Sequence, residues 1–249
     1  MTGTGLLETV LAAHGGRAAW ERVRCIAATL SSGGLAFSSH GQGSALLGLH
    51  VRVQPHARRV ELAGYSGHGR TGLWTPDRVT IRDAGGNPLA DRDFPLRSFD
   101  RPAKLVRWDA LDMLCFAGYA LWNYLGFPFV LAEPGVAVAE APSILAPGGG
   151  RLVADFPSGF PTHSPRQVFH VDEVGLLREP VADARRLERS THDVVQVDPA
   201  HDRPGLVEDH LGQQCALGVA AQRVGDHLRL SRHGEVVVGT DGFPRLEEL

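Results

Sequence analysis

The chain has 249 residues, of which 43% are hydrophobic, and its formal net charge at pH 7 is −3. This hydrophobic content is ample for a core, and we expect a single domain over residues 1–249 rather than two small ones. Because no stretch is strongly basic, the sequence argues against nucleic acid as a partner and against electrostatic attachment to an anionic membrane.

The N-terminal segment does not have the composition of a secretory signal peptide. It lacks a basic region, and Glu8 interrupts its apolar run. We therefore expect a cytoplasmic protein. The three cysteines, Cys25, Cys115 and Cys215, are far apart and odd in number. They predict buried, reduced thiols rather than a disulfide framework or a metal site.

Two short helices are predicted at the start of the chain. The first begins after Thr4, ends at Gly15 and Gly16, and repeats apolar residues at helical spacing: Leu6, Leu7, Val10 and Leu11. The second covers residues 17 to about 24 and directs Trp20 and Val23 towards the core.

From residue 47 the hydrophobic period changes to two, which predicts β-strands. Residues 47–53 and 60–62 form a hairpin in this prediction, and one face of its first strand carries Leu47, Leu49, Val51 and Val53. Further strands are predicted at 73–75, 79–81, 136–138, 152–156 and 167–171, separated by turn residues at 76–77, 85–88 and 172–175. Residues 91–104 are expected to form a loop.

Residues 108–130 contain seven of the seventeen aromatic residues of the chain and predict one apolar helix. Asp109 is the expected N-cap, with Asp112 at the third helical position, and Pro128 ends the helix. A helix of about fifteen residues is too short to span a bilayer, which needs about twenty. Because it is apolar on every side, it must be buried.

These elements predict a mainly β (α+β) protein. Alternating strands indicate an antiparallel sheet with one covered face, and the helices are the only candidates for the cover. We therefore expect a curved antiparallel unclosed β-barrel, with an N-terminal helix and with the hydrophobic helix packed in its concave face. A closed barrel would leave no room for that helix.

Three segments carry a resemblance to a known family. AHGGRAAWERV at 13–23, FAGYALWNYL at 116–125 and FPSGFPTHSPRQVFHVDEVGLL at 156–177 resemble a group of uncharacterised bacterial proteins. That group is similar in fold to the outer-membrane lipoprotein carrier (LolA-like) family of half-barrels. The resemblance covers about residues 5–179, and it implies an unclosed barrel lidded by helices, with an apolar cavity for acyl chains.

Residues 180–249 differ in composition from the rest, with a single aromatic residue and five of the twelve histidines. Weak strands are predicted at 194–197, 227–230 and 235–238, with a helix near 215–223. This tail is either a divergent closing segment or the product of a shifted reading frame.

Few residues point to metal chemistry or catalysis. The tail holds neighbouring histidines and aspartates at irregular spacing, which indicates solvated loop charges rather than a metal site: His192, Asp193, His201, Asp202, Asp209, His210, Asp226 and His227. His163 and Ser164 could serve as base and nucleophile, but adjacent side chains on an extended segment point apart. We predict neither a catalytic group nor a cofactor.

The aromatic residues favour non-catalytic binding or carrying of a hydrophobic ligand, such as an acyl chain or a lipid, in the half-barrel cavity. The predicted ligand-binding residues are Trp74, Phe116, Tyr119, Trp122, Tyr124, Phe129, His163 and Arg166. The small residues Ala117, Gly118 and Ala120 fit either close helix-to-sheet packing or space left for a ligand, and we predict space. The alternatives are a hydrolase with a site near His163, which would need Asp155 or Asp172 beside it, and a structural or partner-binding domain.

Overall fold

A computed structural model describes residues 5–142 and 149–176 and the short strands Arg229–Leu230 and Glu235–Val238. This part of the chain is mainly β. It divides into two compact units, one with residues 5–22, 126–142 and 149–176, the other with residues 23–125 and the two short strands. The histidine–aspartate pairs of the tail, the strand predicted at 194–197 and the helix predicted near 215–223 lie outside the described residues.

The larger unit is built on an open ladder of six consecutive antiparallel strands. They are β1 (Cys25–Ser32), β2 (Leu46–Gln54), β3 (Arg59–Ala63), β4 (Thr71–Thr75), β5 (Arg78–Arg82) and β6 (Pro88–Asp93). Beyond β1 lie β11 (Glu235–Val238), which runs parallel to β1, and β10 (Arg229–Leu230). The sheet begins at β10 and ends at β6, so it does not close.

The predicted alternation places most side chains of the β2–β3 hairpin correctly, with one exception. Leu49, Val51 and Val53 are buried, but Leu47 is 54% exposed and Leu46 is buried instead. The register of β1 and β2 shifts between Leu30 and Ser32, opposite Gly48. Gly48 has a φ of 64°, which a glycine adopts without strain, so β2 can hold an extra residue at this position. Because of the extra residue, the β2 side chains before Gly48 point to the face opposite to the one that strict alternation predicts.

The apolar helix, α4 (Ala110–Gly126), forms as predicted from its sequence pattern. Its first turn is a reciprocal cap between two carboxylates. The Asp109 side chain accepts from the backbone N–H of Asp112 at 2.9 Å, and the Asp112 side chain accepts from the backbone N–H of Asp109 at 2.9 Å. The predicted relative of the capping box is confirmed.

One side of α4 lies directly against β4. An added Cβ on Gly118 would come within 2.1 Å of Trp74 Cγ, and one on Gly72 of β4 would come within 2.7 Å of Leu114 Cδ1. A glycine therefore lies on each side of this contact, Gly118 on α4 and Gly72 on β4. A larger residue at either position would keep the backbones of α4 and β4 further apart. The prediction of space for a ligand at Gly118 is wrong, because Trp74 fills that position.

The smaller unit contains two N-terminal helices and a three-stranded antiparallel sheet. Its elements are α1 (Leu6–Ala13), α2 (Arg17–Trp20), β7 (Ala137–Pro142), β8 (Gly150–Asp155) and β9 (Arg166–Val171). α1 lies over the sheet, since Glu140 Oε1 accepts from the backbone N–H of Leu7 at 3.0 Å and an added Cβ on Gly150 would touch Leu6. α2 is shorter than predicted.

The sequence pattern missed three elements of the larger unit: β1, β6 and the short helix α3 (Leu35–Ser39). The sequence predicts a loop at residues 91–104; residues 91–93 instead belong to β6, and residues 94–107 contain two 3-10 helices, Pro95–Asp100 and Pro102–Leu105. Among the described residues, no helix has both the length and the apolar character required to cross a membrane.

The contact between α4 and β4 yields a stability prediction. We expect Gly118→Ala to lower the free energy of unfolding by about 1 to 3 kcal/mol or more, because the new Cβ overpacks against Trp74. Alanine is about 1 kcal/mol better than glycine inside a helix, so helix propensity alone predicts a gain.

Urea melts of Gly118→Ala and of the control Gly126→Ala would test this contact. In the control the nearest atom to the new Cβ is the end of the Val130 side chain, at 2.9 Å, which is easier to displace, and the Trp20 ring lies at an ordinary contact distance of 3.9 Å. Equal or greater stability of Gly118→Ala than of the native protein would contradict the close approach.

Candidate functional site

Five of the eight predicted ligand-binding residues lie in the larger unit. Trp74 is on β4, and Phe116, Tyr119, Trp122 and Tyr124 are on α4. All are buried except Tyr124, which is half-buried. The ring centroids of Trp74 and Trp122 are 6.5 Å apart, and those of Phe116 and Tyr119 are 5.5 Å apart. Two pairs of these aromatic residues are therefore in contact in the core around α4.

Trp122 is anchored by a polar contact as well as by packing. Its indole N–H donates to the backbone carbonyl of Pro55 at 2.9 Å, and the Arg58 guanidinium lies 5.2 Å from its ring centroid. Since both the donor and the π-face have partners, this side chain has a complete structural role. Nothing in its polar contacts calls for a ligand.

Trp74 differs from Trp122 in the state of its indole N–H. The side chain has no exposed surface, and its Nε1 atom has no hydrogen-bond partner. The indole does interact with the Cys115 thiol, where it lowers the thiol pKa against the effect of burial. A thiol is a weak acceptor, so this contact leaves the donor largely unsatisfied.

Burial suppresses ionisation throughout this part of the core. It raises the pKa of the Cys115 thiol to about 12, with a further contribution from the negative charge of Asp112. Burial also raises the pKa of Tyr119 well above its ordinary value. Both groups are neutral at physiological pH. Cys115 is consequently a poor nucleophile, because the thiolate is the reactive form.

The opposite side of α4 is covered by aromatic residues from other segments. Phe116 contacts Phe37 of α3 at 5.9 Å and Trp108 at 5.2 Å, both measured between ring centroids. Ala117 and Ala120 have no exposed surface. Space beside Ala120 stays a prediction, whereas Gly118 belongs to the tight contact described above.

The other three predicted residues, Phe129, His163 and Arg166, lie in the smaller unit. Phe129 stacks on Trp20 with the ring centroids 4.6 Å apart. His163 is half-buried, and Arg166 is exposed with its Nε 3.6 Å from the carboxylate of Asp155. The structure thus brings five predicted residues together around α4 and places three in the other unit.

Ser164 does not have the geometry of an activated nucleophile. It is buried, and its hydroxyl donates to the carbonyl of Arg166 at 3.0 Å and accepts from the Arg166 N–H at 3.4 Å. The carboxylate of Asp172 accepts from two backbone N–H groups of its own turn. Both Ser164 and Asp172 thus hydrogen bond to the backbone of their own turns.

A buried ionic cluster lies at the start of α4, and sequence reasoning missed all of its members except the two helix-capping aspartates. Asp112 has no exposed surface. Its carboxylate accepts from Ser98 Oγ at 2.7 Å, from Arg92 Nη1 at 2.6 Å and from Lys104 Nζ, besides the backbone N–H of Asp109. The same two cations also bind Asp109. No local pattern connects Arg92, Ser98 and Lys104 with Asp112, because they come from β6, from the two 3-10 helices and from α4.

The described residues also include one open cleft and two buried cysteines. An open cleft of about 190 Å³ lies near the start of α4, and none of the eight predicted residues lines it. Its walls are Gly41, Gln42, Ser44, Ala45, Tyr65, Ser66 and Ala110. Cys25 and Cys115 are buried thiols that form no disulfide, whereas Cys215 lies outside the described residues. In residues 5–142 and 149–176 there is no group of three side chains suited to hold a metal ion.

The two aspartates of the ionic cluster should differ in their contribution to stability. We expect Asp112→Asn to lower the free energy of unfolding by about 3 kcal/mol, the lower end of the range for breaking a buried ion pair. Asp109→Asn should cost less than about 1 kcal/mol, because its side chain is 47% exposed and asparagine is an equally good N-cap. Urea melts at pH 7 measure both, and equal losses would show that burial of Asp112 is unimportant.

Asp109 also predicts a dependence of stability on pH. Burial raises its pKa, but hydrogen bonds from Arg92, the Asp112 amide and Lys104 outweigh burial and hold the pKa well below its usual value of 3.8. A depressed pKa contributes stability that is present above the unfolded pKa and is lost as pH falls towards the folded one.

The unfolding free energy should therefore fall more steeply between pH 5 and pH 2 in the native protein than in Asp109→Asn. The difference in slope should stay below about 1.4 kcal/mol per pH unit, the value for one whole proton, because solvent screens this partly exposed group. Above pH 6 the two curves should run parallel. If the unfolding free energies of the two proteins fall with the same slope between pH 5 and pH 2, the pKa of Asp109 is not perturbed.

Comparison of the chain with protein-family models, with curated proteins and with solved structures finds no match in any of the three.

Proposed function

We propose that this protein binds an apolar or amphipathic molecule, such as an acyl chain or a lipid, without chemical conversion. In this proposal β1–β6 curve around α4 as a half-barrel, as the LolA-like resemblance implies, and the guest lies among the aromatic residues beside α4. Trp74 of β4 is the polar contact in an otherwise apolar site.

The single observation that supports the proposal is the indole N–H of Trp74. A buried donor without a partner costs about 1 to 3 kcal/mol, and native proteins satisfy nearly all such groups. The Cys115 thiol is too weak an acceptor to recover this cost. An oxygen atom brought by a guest, such as a carboxylate or ester oxygen, would recover it.

The surroundings of Trp74 determine what kind of guest is compatible with the site. Cys115 and Tyr119 are neutral at physiological pH, and Trp122 presents an aromatic ring 6.5 Å from that of Trp74. Such a site offers apolar contact area and one hydrogen-bond donor, which suits a long apolar body with one polar atom. It offers no general base and no reactive thiolate, which is why we propose binding rather than catalysis.

Extraction of the purified protein with organic solvent, followed by mass spectrometry, tests whether a lipid copurifies. Titration with a fluorescent fatty acid then measures its affinity in two matched variants. We expect Trp74→Phe to lower the affinity for the probe at least tenfold, since a hydrogen bond to a charged group contributes about 1.5 to 3 kcal/mol. Trp74→Phe leaves a cavity, as any large-to-small core substitution does, but it should cost less stability than Trp122→Phe because the N–H that it removes is unsatisfied.

Trp122→Phe is the control, because it makes the same change in size but removes an N–H that is already paired. It should lower stability by leaving the Pro55 carbonyl unpaired, and it should change probe affinity less than threefold. Absence of both copurified lipid and probe binding in the native protein would refute the proposal. If the two variants bind the probe with equal affinity, the indole N–H of Trp74 does not contact the guest.

A further inference from the structure

Residues 94–107, which we call the basic loop, expose several apolar side chains. Phe94 is 53% exposed, Leu105 is 48% exposed and Val106 is 73% exposed. Exposure of single hydrophobic residues is ordinary, but three within fourteen residues of one loop form an unusual concentration. All belong to the larger unit.

Phe94 is held outward by its backbone. Its φ and ψ are 47° and 54°, in the left-handed region that a bulky residue rarely adopts. The conformation is retained by a hydrogen bond from its N–H to the carbonyl of Asp77 at 2.7 Å. Arg97 lies over the ring, with its guanidinium carbon 4.9 Å from the ring centroid. Backbone strain of this kind is concentrated at functional positions.

The basic loop also carries arginines that are free of ion pairs. Arg97, Arg101 and Arg107 are exposed and have no carboxylate partner within the described residues, and Asp100 is the single acidic residue of the loop. Elsewhere in this unit, Arg78 binds Asp91 and Asp93. The loop therefore has an excess of accessible positive charge, although the whole chain is slightly negative.

The loop is fixed to the rest of the unit at two points. Ser98 and Lys104 both donate to the carboxylate of Asp112, and the Trp108 indole N–H donates to the Lys104 carbonyl at 2.8 Å. The side chains that face inward thus tie the 3-10 helices to α4, while the apolar and arginine side chains remain outside. The exposed groups are presented on an ordered support.

The absence of a long basic run argued against attachment to an anionic membrane, but the folded loop exposes its arginines together with apolar side chains. On this ground, and against that expectation, we propose that the basic loop docks on the surface of an anionic lipid bilayer. Phe94, Leu105 and Val106 would enter the interface between headgroups and acyl chains, and the arginines would bind lipid phosphate and carboxylate groups. Apolar tips beside basic residues are the combination that interfacial membrane binding requires. Exposed leucine and valine favour an apolar phase over nucleic acid, whose recognition uses arginine and aromatic stacking. The inference is independent of the proposed ligand site at Trp74.

Cosedimentation with vesicles tests the docking surface. We expect the full chain to bind vesicles of phosphatidylcholine with phosphatidylserine and to bind phosphatidylcholine alone much less. Each basic residue near such a surface contributes a factor of about five in affinity. Replacement of Arg97, Arg101 and Arg107 by Gln should therefore weaken binding about a hundredfold, and high salt should weaken binding of the native protein.

Arg82→Gln is the matched control, because Arg82 is exposed on β5 outside the loop and also lacks an ion pair among the described residues. It should bind like the native protein. Val106→Ser, at a side chain too exposed to affect folding, should weaken binding even at high salt. Three results would overturn the inference. The native protein could bind vesicles equally with and without phosphatidylserine, the triple variant and Arg82→Gln could lose affinity equally, or Val106→Ser could leave vesicle binding unchanged.

Discussion

A carboxylate without any exposed surface must have its charge compensated within the protein, and Asp112 imposes that requirement on the larger unit. An unpaired buried charge would be prohibitively unfavourable, so Arg92, Ser98 and Lys104 are all drawn to one point. The consequence is structural: β6, both 3-10 helices and the first turn of α4 are tied together. The same cluster that begins the apolar helix also decides where the basic loop lies and which of its side chains face outward.

The second determinant of this unit is the distance between α4 and β4. Gly118 and Gly72 allow a helix and a strand to approach until Trp74 and Leu114 fill the space that larger residues would need. Close packing of this kind produces a rigid core. At the same contact the Trp74 indole N–H is left with the Cys115 thiol, a weak acceptor, as its neighbour. Packing and polar satisfaction conflict at this residue, and that conflict is the basis of the proposed ligand site.

The two proposals place different chemistry on the same unit. The surroundings of Trp74 are neutral because burial keeps Cys115 and Tyr119 protonated, so contact there depends on apolar area and one hydrogen bond. The basic loop is exposed, and its arginines act through charge that salt screens. A guest and a membrane surface would thus be recognised by separate physical effects, and substitutions in one region should leave the other unaffected.

Local patterns in the sequence determined the elements that depend on local physics. The reciprocal cap of Asp109 and Asp112, the apolar helix and the β2–β3 hairpin follow from propensity, hydrogen-bonding capacity and period. Only the tertiary structure decided what depends on partners distant in sequence: the extra residue at Gly48 that turns Leu47 outward, the contact of Gly118 with Trp74, and the gathering of Arg92, Ser98 and Lys104 around Asp112. Periodicity records which residues are apolar, but a small residue has the same pattern whether it faces empty space or a tryptophan ring. The neighbour that fills the space becomes known only when the chain has folded.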